Sequence, residues 1–265
     1  MMRFAQYARY APLYRNLVRR EVRQRYKGSL GGLAWTLMNP LVIVATYSVV
    51  FHYIFPVQNI KYYPLFLFTG LTVWTFFMGG AQLAASSIVG NGNLVKKVRF
   101  PREIVPAAAI TANGVTAAAM FAIALPLCLA LSSTSYAPIV VLPVLFTLLV
   151  ALTLGFGLMV SALNVYFRDV EHILAAIAMP WFFLTPIFYT LDQLPSGLQH
   201  KPGLLRLLYY GNPATPFVSS IRDVAFRGSW PTAGDWIYCG LVGPAVLLIG
   251  IAIFRRLERD MAIEL

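Results

Sequence analysis

Charge is the scarcest ingredient of this 265-residue chain: Asp, Glu, Lys and Arg supply 12% of it, where about 25% is usual for soluble domains. So few ionisable groups cannot cover a soluble surface. That excludes a soluble enzyme, a secreted scaffold and a DNA-binding domain as readings of the whole chain. Carboxylates are rarer still. The ten are Glu21, Glu103, Asp169, Glu171, Asp192, Asp223, Asp235, Glu258, Asp260 and Glu264. None lies within a long apolar stretch. Ion-coupled carriers hold protons or ions on intramembrane Asp, Glu or His, although backbone carbonyls at broken helices can hold Na⁺. An ion-coupled secondary transporter is therefore disfavoured, and so is a membrane enzyme that needs an acid, a base or a metal in reach. Cys128 and Cys239 are the two cysteines, both in apolar stretches, so neither a disulfide framework nor zinc spacing is present. His52, His172 and His200 are scattered, and no metal site is expected. No Gly-Lys dipeptide occurs, so a phosphate-cradling Walker loop cannot be placed. Any pathway this chain forms must be powered from elsewhere.

What abounds is apolar. The hydrophobic fraction is 58%, against roughly 45–50% ordinarily. The stretches 32–55, 62–90, 104–131, 137–167, 173–191 and 236–254 carry no Asp, Glu, Lys or Arg. A membrane-spanning helix needs about 20 such residues. The expected fold is an all-α polytopic membrane protein with six transmembrane helices. Basic residues are unevenly placed: eight lie in residues 1–31, and Lys96, Lys97, Arg99, Arg102, Arg168, Arg255, Arg256 and Arg259 bring one side to 16 of 21. Basic loops stay in the cytoplasm, so both termini are expected inside. The basic excess reports topology rather than nucleic acid. No cleavable signal peptide is expected, because the start is basic and aromatic without a separate apolar core.

Between Pro12 and Lys27 the apolar residues Leu13, Tyr14, Leu17, Val18, Val22 and Tyr26 recur at three- and four-residue steps, with Arg15, Arg19, Arg20, Arg23 and Lys27 opposite. That period predicts an amphipathic helix lying in the cytoplasmic headgroup layer. Residues 1–31 are read as this interface helix and its elbow, with Gly28, Gly31 and Gly32 turning the chain and Trp35 anchoring the first span. Residues 32–265 form the transmembrane domain. The fifth span holds Pro180 and Pro186, so a kinked or broken helix is expected. The outer loop 192–235 contains two apolar pieces too short to cross, Leu204–Tyr210 and Phe217–Phe226. Such lengths suit re-entrant or surface-lying helices, the second capped by Thr215 before Pro216. Leu204, Tyr209, Tyr210, Phe217, Ile221 and Arg222 are candidates for an outer gate.

Two further groups are singled out. The cytoplasmic link Asn93–Glu103 predicts a short helix capped by Asn93, with Leu94, Val95 and Val98 along one edge beside Lys96, Lys97 and Arg99, and with Phe100 as an exposed aromatic. A partner's groove could take such apolar anchors, while rim charges including Arg102 and Glu103 set register. The bland reading is a basic anchor against anionic lipid. Rings are plentiful, with 18 Phe, 14 Tyr and 5 Trp. Tyr62, Tyr63, Trp181, Phe188 and Tyr189 are candidates for stacking on sugar rings, against the alternative of interfacial belt residues.

The run RYKGSLGGLAWTLMNPL (Arg25–Leu41), with NLVKKVRFPREIVP (Asn93–Pro106), NVYFRDVEHI (Asn164–Ile173) and NPATPFVSSIRDVAFRG (Asn212–Gly228), resembles ABC-2 type permeases that export lipid-linked polysaccharides such as O-antigen or teichoic acid. The resemblance implies a homodimer in the bacterial inner or plasma membrane, paired with two copies of a separate ABC ATPase that binds ATP and Mg, so this chain holds no cofactor. It implies coupling through Asn93–Glu103, with Arg168, Asp169 and Glu171 as a second cytoplasmic contact. An interface helix with Arg15, Arg19, Arg20, Arg23 and Arg25, re-entrant helices gating the outer side, and an aromatic-lined channel for a polysaccharide on polyprenyl diphosphate are implied too. An ABC-2 exporter of a drug or lipid is the nearest alternative.

Overall fold

The computed structural model describes residues 9–26, 33–51, 60–191, 201–258 and 261, and no strand occurs among them. The elbow glycines Gly28, Gly31 and Gly32, the Trp35 side chain, His52, His200 and residues 192–200 lie outside the described set. The elements in chain order are α1 (Ala11–Tyr26), α2 (Leu33–Val49), α3 (Tyr63–Gly90), α4 (Gly92–Lys97), α5 (Ile104–Leu131), a 3₁₀ turn (Ala137–Val141), α6 (Leu142–Tyr166), α7 (Asp169–Leu184), α8 (Pro202–Tyr210), α9 (Ala214–Arg222) with a π turn (Asp223–Arg227), and α10 (Ala233–Leu257).

Among the described residues, four helices are long and apolar enough to cross a membrane: Tyr63–Gly90, Ile104–Leu131, Ala137–Tyr166 and Ala233–Leu257. The expected first and fifth spans are shorter. Helix α2 has 17 residues and α7 has 16, roughly 25 Å at 1.5 Å per residue against a core of about 30 Å. Pro180 is accommodated inside α7, whereas the helix stops at Leu184, because a residue before proline, here Thr185 before Pro186, is steered out of the α region.

Helix α3 is the hub. Most of its surface is covered by α2, α5, α6, α7 and α9. Its small residues, Gly79, Gly80, Ala81, Ala84 and Ala85, let these neighbours approach closely, the usual device where lipid offers helices no hydrophobic drive to associate. Helices α5, α6 and α10 instead turn large apolar groups outward, among them Ile123, Leu127, Val144, Leu241 and Leu248, as lipid-facing walls do. Helix α10 lies tightest on α6: a Cβ at Gly155 would run into the backbone of Val246 and Leu247, and one at Gly250 into the backbone of Gly155. The turn of α10 is closed by Thr232, whose Oγ accepts from the Asp235 amide at 3.2 Å.

Apolar side chains separate into two clusters. A large one fills the middle and the α9 end of the bundle. A second joins Leu17, Ile88, Val95, Phe100, Ile104, Leu158, Val165 and Phe254 at the opposite end. Helix α1 is amphipathic as its period requires, with Arg15, Arg19, Arg20 and Arg23 exposed and Leu17 buried. Its apolar edge, however, rests on protein in this second cluster, and the Tyr14 hydroxyl meets Thr111 Oγ1 at 2.5 Å.

Gly155→Leu should separate α6 from α10 and cost more than about 2 kcal/mol, as overpacking does, lowering the midpoint of thermal unfolding in detergent. Gly240→Leu, where a Cβ meets nothing within 4 Å, should leave it unchanged.

Candidate functional site

One seam of α3 is left open. Thr75, Gly79, Gln82 and Ser86, spaced three or four residues apart, are half-buried together with Leu83, while the rest of the helix's middle is covered. That spacing puts them on one face. The seam is a hydroxyl, a glycine, an amide and a hydroxyl, the opposite chemistry to the outward faces of α5, α6 and α10. Thr75, Gly79 and Gln82 open into a groove of about 320 Å³, flanked by Ile43 and Tyr47 of α2 and by Ala178, Met179 and Phe182 of α7 and lined also by Leu71, Trp74 and Met78 of α3; Ser86 lies beyond it. Asn113 supports it from behind: its Nδ2 donates to the carbonyls of Thr75 (3.1 Å) and Phe76 (3.2 Å). Asn113 Oδ1 accepts from Arg25 Nη1 at 3.5 Å. Arg25 thus departs from the other α1 arginines, being half-buried against the bundle.

The sequence-selected rings divide. Tyr63 and Phe188 are buried, and the Tyr63 hydroxyl donates to the Phe188 carbonyl at 2.8 Å. Both side chains belong to the packed core of this chain. Trp181 packs edge-on against Phe77 and Phe156 and gives its Nε1–H to Asn212 Oδ1 at 2.9 Å. Tyr62 is exposed and Tyr189 half-buried. The rings bordering the groove are Tyr47, Trp74 and Phe182, which composition alone did not distinguish from their neighbours. The polar residues Thr75, Gln82 and Ser86 at helical spacing inside an apolar stretch were the readable signal.

The two short helices α8 and α9 behave differently. Helix α8 is largely exposed, with Leu204 and Tyr210 open and Tyr209 half-buried. Burial pushes the Tyr209 phenol up, opposed by the Ser219 hydroxyl and reinforced by Asp235. Helix α9 is wedged among α3, α6 and α10, with Phe217 and Ile221 wholly buried. The expected Thr215 cap is corrected: α9 begins at Ala214, whose amide is taken by Asn212 Oδ1 at 3.1 Å. Asn212 reaches that amide first because its side chain also bridges Trp181 and Thr185.

Arg222 closes this region. It is 4% exposed, and Nη1 and Nη2 donate to the carbonyls of Pro186 (2.9 Å) and Ile187 (2.7 Å). Its guanidinium lies 3.7 Å from the centroid of the Phe66 ring. A Cβ at Gly70 would collide with it. The charge is met by two carbonyl dipoles and a ring face, and it ties α9 to the break of α7 and to α3.

At the other end, α4 exposes Asn93, Lys96 and Lys97, followed by exposed Val98 and Arg99. The helix starts at Gly92, so Asn93 is not its cap; Asn91 stands at that position, and its Nδ2 donates to the Ser87 carbonyl at 2.7 Å. Phe100 overturns the expectation of an exposed aromatic. Val98 turns extended, with ψ 135°, and Phe100 folds into the second cluster beside Val95, 8% exposed, because that removes a full ring from solvent. Leu94 is half-buried. Arg102 and Glu103 face the end of α10: the Arg102 amide donates to Glu258 Oε1 at 3.3 Å, its guanidinium bonds the Glu258 carbonyl, and Glu103 pairs with Arg255 at 3.6 Å. Arg168, Asp169 and Glu171 are exposed on the α6–α7 turn. Asn164 fixes that turn, accepting from the Glu171 amide and donating to the Ala85 carbonyl, each at 3.0 Å. Both exposed segments are therefore fastened to the last turns of α3.

Residues 12–226 match the ABC-2 type transporter family. The chain belongs to that family. It is a multi-pass membrane protein. The ABC-2 chain is 30% identical over 258 residues to the O-antigen export system permease protein RfbA of Myxococcus xanthus, covering 96% of this chain and 95% of that one. It is 28% identical to a Klebsiella pneumoniae protein of the same name, covering 93% and 92%. With the polysialic acid transport protein KpsM of Escherichia coli it shares 23%, covering 91% and 92%.

Arg222→Ala leaves two buried carbonyls of the ABC-2 chain without donors, at about 1–3 kcal/mol each. The expected outcome is a clear fall in the thermal midpoint, with Arg222→Lys intermediate because an ammonium lacks the planar fork that serves both carbonyls at once. An unchanged midpoint for Arg222→Ala would remove the latch.

Proposed function

We propose that this chain is the permease half of an ATP-driven exporter of lipid-linked polysaccharide in the bacterial inner membrane. Two copies pair with two copies of an ABC ATPase, which carries ATP and Mg. The observation that carries the proposal is the polar seam of α3 at the floor of an open groove. A hydroxyl- and amide-lined face is costly against lipid but suits a hydrated chain of sugars, and the ring edges of Tyr47 and Phe182 suit their apolar faces. Six spans are few for enclosing such a path, and the open flanks of α2 and α7, with Met38, Leu41, Ile173 and Ile177 exposed, are where a second copy closes it.

In this reading α2 and α7 are the first and fifth spans, crossing with help from the residues that continue them, and both termini face the cytoplasm. Helices α8 and α9 form the outer cover, α9 re-entrant and α8 at the surface. The carrier of the glycan is polyprenyl diphosphate. The relatives named for O-antigen and polysialic acid favour a glycan over a drug or lipid cargo. The coupling surface is Asn93, Lys96, Lys97, Val98 and Arg99, with Arg168, Asp169 and Glu171 as a second contact. Motion there reaches the groove through α3, to which both segments are fastened.

Two measurements test this. Gln82→Leu, which matches the volume and removes the amide, should cut glycan export several-fold at normal membrane abundance, while the complex keeps hydrolysing ATP; unimpaired export would place the seam outside the path. For coupling, Val98→Asp should release the ATPase in copurification, whereas Phe100→Ala should act as a core deletion costing about 3–5 kcal/mol and lower the thermal midpoint. Full retention of the ATPase by Val98→Asp would shift coupling away from this strip.

A further inference from the structure

Outside the groove, two chambers meet at Ile60, Lys61 and Tyr62, which line both. The first, about 480 Å³, lies between the start of α3, the end of α5 and the π turn, and carries Lys61, Arg227, Ser132, Thr134 and Thr190 on walls completed by apolar Phe66, Leu131 and Phe226. The second, about 460 Å³, is walled mainly by apolar groups, Val49, Ile60 and Pro64 among them. The wall they share is held in an unusual way. Tyr62 has φ 59°, the one non-glycine residue at positive φ among the described residues. A bulky residue in that region marks local strain, which concentrates where a site demands it. The conformation leaves the Tyr62 ring exposed, with Lys61 Nζ 5.0 Å from its centroid.

The polar chamber's donors are cationic. Ser132 Oγ donates to the Cys128 carbonyl at 3.1 Å and Thr134 Oγ1 to the Arg227 carbonyl at 2.7 Å, which commits those protons. Arg227 Nη1 is paired with Asp223 at 2.8 Å, so Lys61 gives the chamber one net positive charge. Exposed Tyr136 and Trp230, 65% and 56% accessible, stand at the same end of the bundle, where aromatic residues mark the headgroup level. A cationic chamber and an apolar chamber side by side at that level match one kind of molecule, an amphiphile with a single anionic head.

We propose that the Lys61–Tyr62 junction is a binding site for a phosphate-bearing lipid, its phosphate between Lys61 and Arg227 and its first chain segments against Val49, Ile60 and Pro64. Phosphate is common to bilayer phospholipids and to prenyl phosphate carriers. One net charge favours a phosphodiester, hence a bilayer phospholipid. The outer placement rests on the orientation proposed above; binding itself does not, and is measurable in detergent whether or not the chain exports glycan.

The test is native mass spectrometry of the full chain in neutral detergent, titrated with phosphatidylglycerol, with dioleoylglycerol and with a polyprenyl monophosphate. Phosphatidylglycerol should bind and dioleoylglycerol, which lacks the phosphate, should not. Lys61→Gln and Arg227→Gln should each weaken binding about fivefold, the worth of one basic residue at a lipid surface. Lys61→Arg should restore it, and Arg206→Gln, a cation on α8, should leave it unchanged. Equal binding of the two phosphates, or a preference for phosphatidylglycerol, assigns the site to the bilayer; a strong preference for the prenyl phosphate keeps the phosphate site and overturns its phospholipid source. Wild-type affinity in both glutamine variants, or binding of dioleoylglycerol as tight as phosphatidylglycerol, overturns the site altogether.

Discussion

The carbonyls of Pro186 and Ile187 lie where α7 has ended and no helical amide follows to bond them. In apolar surroundings an unbonded carbonyl is expensive, and the break could not stand without a donor from elsewhere. Arg222 is that donor. A guanidinium is suited to the task, since its fork reaches two acceptors at once and its face can rest on a ring. The requirement propagates. Phe66 must present its ring, Gly70 must lack a side chain, and α9 must sit inside the bundle rather than on its surface. The contrast between buried α9 and exposed α8 follows from this one cation.

A second constraint is the division of α3. Five neighbours cover it, and the face they leave uncovered is largely polar, while α5, α6 and α10 turn apolar groups outward. An ordinary soluble fold reverses that order. Here the seam sits on the central helix, where a half-covered groove rather than an open lipid-facing wall can offer it water or a hydrated ligand. Asn113 shows how tightly the seam is held: one amide ties α5 to two successive carbonyls of α3 and receives Arg25 of α1. Helix α1 is thereby joined to the support of the groove by a polar link, while its apolar edge packs in the second cluster.

The end of the bundle that carries α4 is built for stiffness. Phe100 and Val95 are turned into a small core shared with α1, α5, α6 and α10, so the charged strip above them rides on packed side chains. Arg102 and Glu103 clamp the same link to the end of α10. An exposed surface on such a base can pass a push into α3 and α10 with little loss in loop bending.

Much was legible in the sequence where the determinant is local or additive. Uncharged stretches set which segments are apolar helices, and a 3.6-residue period defines α1 whatever surrounds it. The prolines of the fifth stretch mark where α7 must stop. The four quoted runs already resembled the family to which the chain belongs. Tertiary structure alone decided what each aromatic and each cation does. Tyr63 and Tyr62 are adjacent and identical, yet one is core and the other open, because the start of α3 turns one inward. Phe100 looked like an anchor for a partner and is an anchor for its own chain, because an extended residue before it reverses its direction. Arg222 finds its acceptors 35 and 36 residues away. Hydropathy and periodicity sum over neighbours in sequence, so they can be read from it; burial and pairing depend on which distant surfaces meet, and that is settled only when the helices pack.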